Sequence, residues 1–410
     1  MKNLVIVGAG TGGTLLANKL RKKLGDDWTI QVVDRDDAHH YQPGYLFVPF
    51  GIGGITPKRV VKARHSFLKG VEFIIDPAQR INREAHTLTL ESGRELHWDK
   101  LIVATGTAPH PEEVPGMADG ALWHTKVFDF YTLEGATKLR SAVKNFKSGK
   151  LLVHISEMPI KCPVAPIEFA LLAQDYMRKK GRMWDVDITF VTPLDGAFTK
   201  PVASKTLGNL MAERGIKVET DFQVESIDND AAQLVSYDGR RLDFDLLVTV
   251  PPNRGSDLIV NSGLGNDAGF LPVDKHTLRS LADPDIWAIG DATDVPTSKA
   301  GSVVHFMADN LVPNFLASLE GEPLPERFDG HSNCFIESGR GEALLLDFNY
   351  EQEPVTGTFP VPKVGPLKLL APSKVNHMSK LAFEAIYWNM LIRGLPLPFT
   401  KDMQTAGKDL

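Results

Sequence analysis

Short apolar runs that stop at glycine or aspartate alternate along this chain with longer stretches of helical period. Such alternation predicts a parallel sheet flanked by helices. NLVIV (3–7) reads as a buried strand, TLLANKLRKKL (14–24) as the helix after it, and TIQVVD (29–34) as the next strand. Two further buried strands stand in WDKLIVATGTAP (98–109) and DIWAIGDATDVP (285–296). Between them the order repeats: strand 150–155, helix 165–180, strand 186–192, a helix near 204–214, then strands 216–220 and 245–250. The pattern therefore predicts an α/β chain with one dinucleotide-binding-type unit split into 1–112 and 269–328, a second such unit inserted at 113–268, and a C-terminal segment at 329–410.

Composition narrows the function without naming it. The 410 residues are 43% hydrophobic and 23% charged, which is ordinary for a folded globular chain. A net charge of −6 with no long basic run argues against nucleic-acid binding. Cys162 and Cys334 are the 2 cysteines, too few for a disulfide scaffold or a thiolate zinc site. MKNLVIVGAG reads as a strand running into a glycine loop rather than a secretory signal, and no apolar window reaches the ~18 residues that span a bilayer.

GAGTGG sets Gly8, Gly10 and Gly13 in the G-x-G-x-x-G spacing between strand and helix. Gly8 allows the tight turn, Gly10 lets the backbone approach a diphosphate, and Gly13 lets helix and strand close up. Asp34, 21 residues after Gly13 and followed by Arg35, stands where an acid meets a ribose hydroxyl. With the strand end Ala104-Thr105-Gly106 and the later Gly290-Asp291, the order of motifs resembles the two-dinucleotide-fold flavoprotein reductases. That resemblance implies FAD held by these residues, with Asp291 at its ribityl-phosphate region.

The inserted unit lacks its own glycine loop. After LLVHI the chain reads SEMPIKCPVAP, where Pro159, Pro163 and Pro166 remove amide donors and Cys162 sits at the turn. NAD(P)H is therefore not the expected reductant. Buried packing is the ordinary fate of a free cysteine. Both cysteine segments, PIKCPVAPIEFA and NCFIESG, nevertheless resemble those of sulfide:quinone oxidoreductases, over nearly the whole chain.

The last long pattern, VNHMSKLAFEAIYWNMLI (375–392), fits one helix about 27 Å long. Asn376, His377, Lys380 and Glu384 share one strip, and Met378, Leu381, Ala382, Ala385, Ile386 and Ile392 form a broad apolar face. An amphipathic helix closing the core explains this pattern, and so does a helix lying in a membrane interface. The apolar loops VGPLKLLAP (364–372) and GLPLPF (394–399) beside it favour the interface. The resemblance makes this the membrane-attachment and quinone region of a monotopic protein on a prokaryotic cell membrane.

It further implies the chemistry. A disulfide or longer sulfur bridge between Cys162 and Cys334 accepts hydrosulfide, releases zero-valent sulfur, and passes the electron pair through FAD to a quinone held between Phe335 and Phe383, with Lys380 at the flavin and quinone end. Pro43, with Pro49, lines the flavin, and the helix beginning near 299–311, at Gly301, aims its amides at the ring. Glu168, six residues past Cys162, stands where it could handle protons but reads first as a helix-surface glutamate, and His39, His40, His124 and His305 carry no individual reading. One departure stands out: a third family cysteine, expected within LWHTKVFDFYTLEGA (122–136), is absent, which favours non-covalent FAD. A homo-oligomer is compatible with all of this. The rivals are a type II NADH:quinone oxidoreductase, which needs the missing second glycine loop, the flavoprotein subunit of a soluble sulfide dehydrogenase donating to a cytochrome, and a flavoprotein redox sensor.

Overall fold

The computed structural model describes residues 1–361, 363–397, 401–406 and 408–409. The first apolar run forms β1 (Lys2–Val7), followed by α1 (Thr11–Arg21), β2 (Trp28–Asp34), β3 (Glu72–Ile75) and β4 (Lys100–Val103). The chain then leaves this sheet for β5 (Val127–Phe128), α2 (Leu133–Asn145), β6 (Gly149–Ile155), α3 (Ala165–Lys179), β7 (Val186–Val191), α4 (Pro201–Glu213), β8 (Lys217–Glu219) and β9 (Leu246–Val250). It returns with β10 (Ile286–Ala288), whose register against β4 sets Ile286 opposite Leu101. Sheet order is β10-β4-β1-β2-β3 in the first unit and β5-β9-β6-β7-β8 in the second, every pairing parallel.

Both sheets are buried on two faces, which is why their strands read as continuous apolar runs rather than alternating ones. Leu4, Val5 and Ile6 of β1 and Leu151 and Val153 of β6 have no exposed surface. Past β10, α5 (Gly301–Leu319) packs against α1 and runs on to β11 (Ser332–Gly339). β11 pairs antiparallel with β12 (Glu342–Phe348), and β13 (Thr356–Phe359) and β14 (Leu367–Leu369) complete this third sheet with Lys408–Asp409.

The predicted last helix is shorter than expected. α6 spans Lys374–Ile386, and one π turn, Tyr387–Leu391, replaces the α-helical end. The wider turn directs two adjacent aromatics inward. Tyr387 Oη lies 2.7 Å from both Thr11 Oγ1 and His39 Nε2, and Trp388 stacks on Phe67 with centroids 5.4 Å apart. Residues 398 and 399 of the predicted apolar loop 394–399 lie outside the described residues.

Candidate active site

β1 and α1 meet as the glycine spacing requires. Gly8 has φ +98, and a Cβ there would stand 2.4 Å from the Ala104 carbonyl oxygen; one on Gly13 would stand 1.8 Å from the Gly8 oxygen. Gly10 faces open space, as does Gly106. No side chain caps the N-terminus of α1, so its first amides keep the electropositive end available to an anion. Thr105 Oγ1 is buried with no hydrogen-bond partner. The open glycine, the uncapped helix end and the unpaired hydroxyl all fit a dinucleotide cofactor. Asp34 is more engaged than its spacing reveals: it accepts from the Ala9 amide at 2.6 Å and pairs with Arg64 at 2.5 Å, whereas Arg35 is exposed.

A cavity of about 390 Å³ adjoins this unit, and Pro43, Asp291 and Gly301 line it from the predicted flavin side. Gly290, at φ +71, stands behind Asp291, its amide 3.3 Å from Met307 Sδ. α5 begins at Gly301 without a side-chain cap. Burial pushes Asp291 up, against the pull of Lys299 and Lys161.

The inserted unit sends Cys162 into the same cavity. The residue adopts φ +47, a left-handed conformation uncommon outside glycine. Three bonds hold it there. Its amide donates to Lys299 O at 2.6 Å, and its carbonyl accepts from Tyr131 Oη at 3.0 Å and the Ala165 amide at 2.9 Å. Cys334, on β11, lines the cavity from the third sheet, its Sγ 3.9 Å from Ser302 Oγ. Both thiols are unbridged. Burial pushes Cys334 up to about 11, opposed by Ser302 and Lys380; burial and Glu168 raise Cys162 further, again opposed by Lys380.

Glu168 is not on a helix surface. α3 packs against β11, which leaves the Glu168 side chain 1% exposed. It pairs with Lys380 of α6 and accepts from the Glu337 amide at 2.7 Å. Lys380 also donates to the Phe335 carbonyl at 2.8 Å. Burial alone would depress Lys380, but Glu168 and Glu337 hold it above its ordinary value, while burial raises Glu168. Phe335 and Phe383 line the cavity, as do Leu345, Phe359 and Leu367.

Several cavity residues escaped the sequence reading. Lys161 was legible only as the neighbour of Cys162. His331, on Asp347 at 3.0 Å, and Lys408, on the same carboxylate at 2.6 Å, gave no local signal because their partner lies on another strand. His305 also lines the cavity, and burial holds it down at about 4, hence neutral.

Comparison with known proteins adds an independent line. The family model described as pyridine nucleotide-disulphide oxidoreductase matches residues 2–307. A mitochondrial sulfide:quinone oxidoreductase of Mus musculus is 26% identical over 398 residues, 95% of this chain and 86% of that protein. Its namesake in Dictyostelium discoideum is 27% identical over 401 residues, again 95% and 86%. The solved sulfide:quinone oxidoreductase of the hyperthermophilic bacterium Aquifex aeolicus superposes with a TM-score of 0.80 at 20% identity, over 96% of this chain and 92% of that one. That likeness carries the fold.

Proposed function

The chain belongs to the pyridine nucleotide-disulphide oxidoreductase family, and we propose that within it the protein is an FAD-dependent sulfide:quinone oxidoreductase seated on a membrane surface. The observation that carries this reading is that two cysteines from different sheets, Cys162 and Cys334, line one cavity beside the flavin-side residues Asp291 and Gly301. The relatives described above are named for the same reaction.

Gly8, Gly10, Gly13, Asp34, Ala104, Thr105, Gly106, Gly290 and Asp291 would hold FAD. When bound, FAD supplies a two-electron acceptor that hands the pair on. The thiols do the sulfur chemistry. Hydrosulfide attacks a Cys162–Cys334 bridge, forming one new S–S bond and breaking the old one, so that one cysteine becomes a persulfide and the other a thiolate. Re-forming the bridge around the added sulfur releases one proton and two electrons, the pair that bound FAD would accept. Lys380 favours the thiolate at both positions, countering burial. The uncapped N-terminus of α5 presents amides to the cavity, where they stabilise negative charge.

Phe335 and Phe383 hold the quinone ring by offset stacking. The outward face of α6 carries Val375 and Met378, 42% and 69% exposed, and Val361, Val364 and Leu395 of the flanking segments are exposed as well. The polar strip of the same helix turns inward, so the apolar face is left for lipid. Among the described residues no helix is long and apolar enough to cross a membrane. FAD is bound non-covalently, since Cys162 and Cys334 are the 2 cysteines and both serve sulfur.

Stopped-flow mixing of the oxidised holoprotein with sulfide or NADH tests the assignment. Sulfide bleaches the flavin, a short-chain quinone restores it, and NADH does neither. Bleaching by NADH with sulfide inert transfers the protein to the NADH:quinone oxidoreductases. Acid precipitation leaves free FAD in the supernatant; flavin retained in the pellet defeats the non-covalent reading.

A further inference from the structure

The inward strip of α6 does more than fasten the helix. Asn376 bonds the backbone of Lys368, and Glu384 pairs with Arg59. The two residues between them reach a buried cluster. His377 Nδ1 lies 2.9 Å from both carboxylate oxygens of Glu337, and Lys380 pairs with Glu168. The two carboxylates are the buried part of this line, Glu337 and Glu168 each 1% exposed, against 20% for the His377 side chain and 14% for Lys380 at the cavity wall. The Glu337 amide bonds Glu168, and the Glu337 charge acts on both Glu168 and Lys380. Glu168 and Lys380 line the cavity. The cluster thus joins solvent to the cavity wall through titratable groups. Of the other charged groups on neighbouring elements, Asp347 of β12 is engaged by His331 and Lys408, Arg59 by Glu384, and Lys374 is exposed one turn before His377.

The overall reaction sets a demand for this line. Oxidation of hydrosulfide by a quinone balances as HS⁻ + Q + H⁺ → S⁰ + QH₂, so each turnover draws one proton from water. A quinone arriving from lipid does not bring that proton. We propose that His377 and Glu337 are the outer end of a proton path whose inner end is Glu168 and Lys380 at the cavity wall. This rests on quinone as the electron acceptor, and not on sulfide as the donor.

The test therefore bypasses sulfide. Holoprotein whose flavin has been reduced by light is mixed with a short-chain quinone and a pH-indicator dye. In the wild type, proton uptake keeps pace with flavin reoxidation. In Glu337→Gln and His377→Gln, reoxidation slows by roughly 10²-fold, as for loss of a proton-transfer group, and its rate rises as pH falls. Imidazole restores His377→Ala. NMR of the His377 ring at fixed pH in the same full-length protein supplies a readout apart from turnover: Glu337→Gln and Glu168→Gln both move its ring resonances. Unchanged rate and pH profile in both Gln variants overturn the proposal. So does a slow His377→Ala that imidazole does not rescue, or His377 ring resonances blind to Glu168→Gln. A wild type that quinone cannot reoxidise overturns the path together with the quinone assignment, whereas failure of sulfide to bleach the flavin strikes only the sulfide assignment.

Discussion

The first β-turn-α unit and the inserted one share strand, turn and helix, and part company over a few residues of loop. Between β1 and α1 the left-handed position belongs to Gly8, and Gly10 opens onto empty space. Between β6 and α3 the left-handed position belongs to Cys162, with Pro163 beside it, and the turn's amide is taken by the Lys299 carbonyl. One loop leaves its backbone to a phosphate; the other uses its backbone to present a thiol. Under the proposed function the same scaffold serves two chemistries, and the loop residues choose between them.

Removing the thiol breaks the comparison most sharply. In Cys162→Ala, and equally in Cys334→Ala, flavin bleaching by sulfide slows on the order of 10³-fold or more, because neither cysteine can make the bridge alone. FAD content stays at the wild-type level, since the first loop is untouched. Loss of flavin from these variants counts against the separation of roles between the two loops.

Next in size is the charge that serves the second loop. Lys380→Met leaves the buried Glu168 carboxylate without its cation, at a cost of about 3–5 kcal/mol near neutral pH. With the ammonium gone, Glu168 has a folded-state pKa above its ordinary value of 4.5. A carboxyl raised in this way stabilises the fold below that value and ceases to as pH rises. The deficit against wild type therefore widens from pH 4 to pH 8 in denaturant melts. A deficit independent of pH removes Glu168 as its cause.

Smaller still is the effect of a methyl group in the first loop. A Cβ on Gly13 would meet the Gly8 oxygen at 1.8 Å, so Gly13→Ala must shift backbone, costing about 1–3 kcal/mol. Flavin absorbance falls with it. An alanine variant that loads FAD normally shows that the close approach of α1 to β1 is dispensable.

These contrasts also explain what could be read from the chain. Both parallel sheets were legible because doubly buried strands leave apolar runs, and the glycine loop was legible because backbone geometry there permits few residues. Cys162 was conspicuous for standing where glycine was missing. Glu168 was misread as a surface residue: a single glutamate on a helix says nothing of a lysine 212 positions away, and only the packing of α3 against β11 joins them. His331, Asp347 and Lys408 were silent for the same reason. The end of α6 was misplaced because helical periodicity cannot report the extra residue that a π turn inserts to bring Tyr387 and Trp388 inward.

The smallest effect isolates the backbone from the sulfur. At φ +47, Cys162 occupies a conformation that costs a residue with a Cβ roughly 1–2 kcal/mol and glycine almost nothing. Cys162→Gly and Cys162→Ala both lack the thiol, and both lose sulfide-dependent bleaching alike. They differ in stability, with the glycine variant the more stable by about 1 kcal/mol in urea melts. The left-handed turn stores that energy against the bond its amide gives Lys299 O and those its carbonyl accepts from Tyr131 and Ala165. Should alanine prove as stable as glycine, the turn relaxes without its sulfur, and the thiol rather than the surrounding bonds sets the loop's shape.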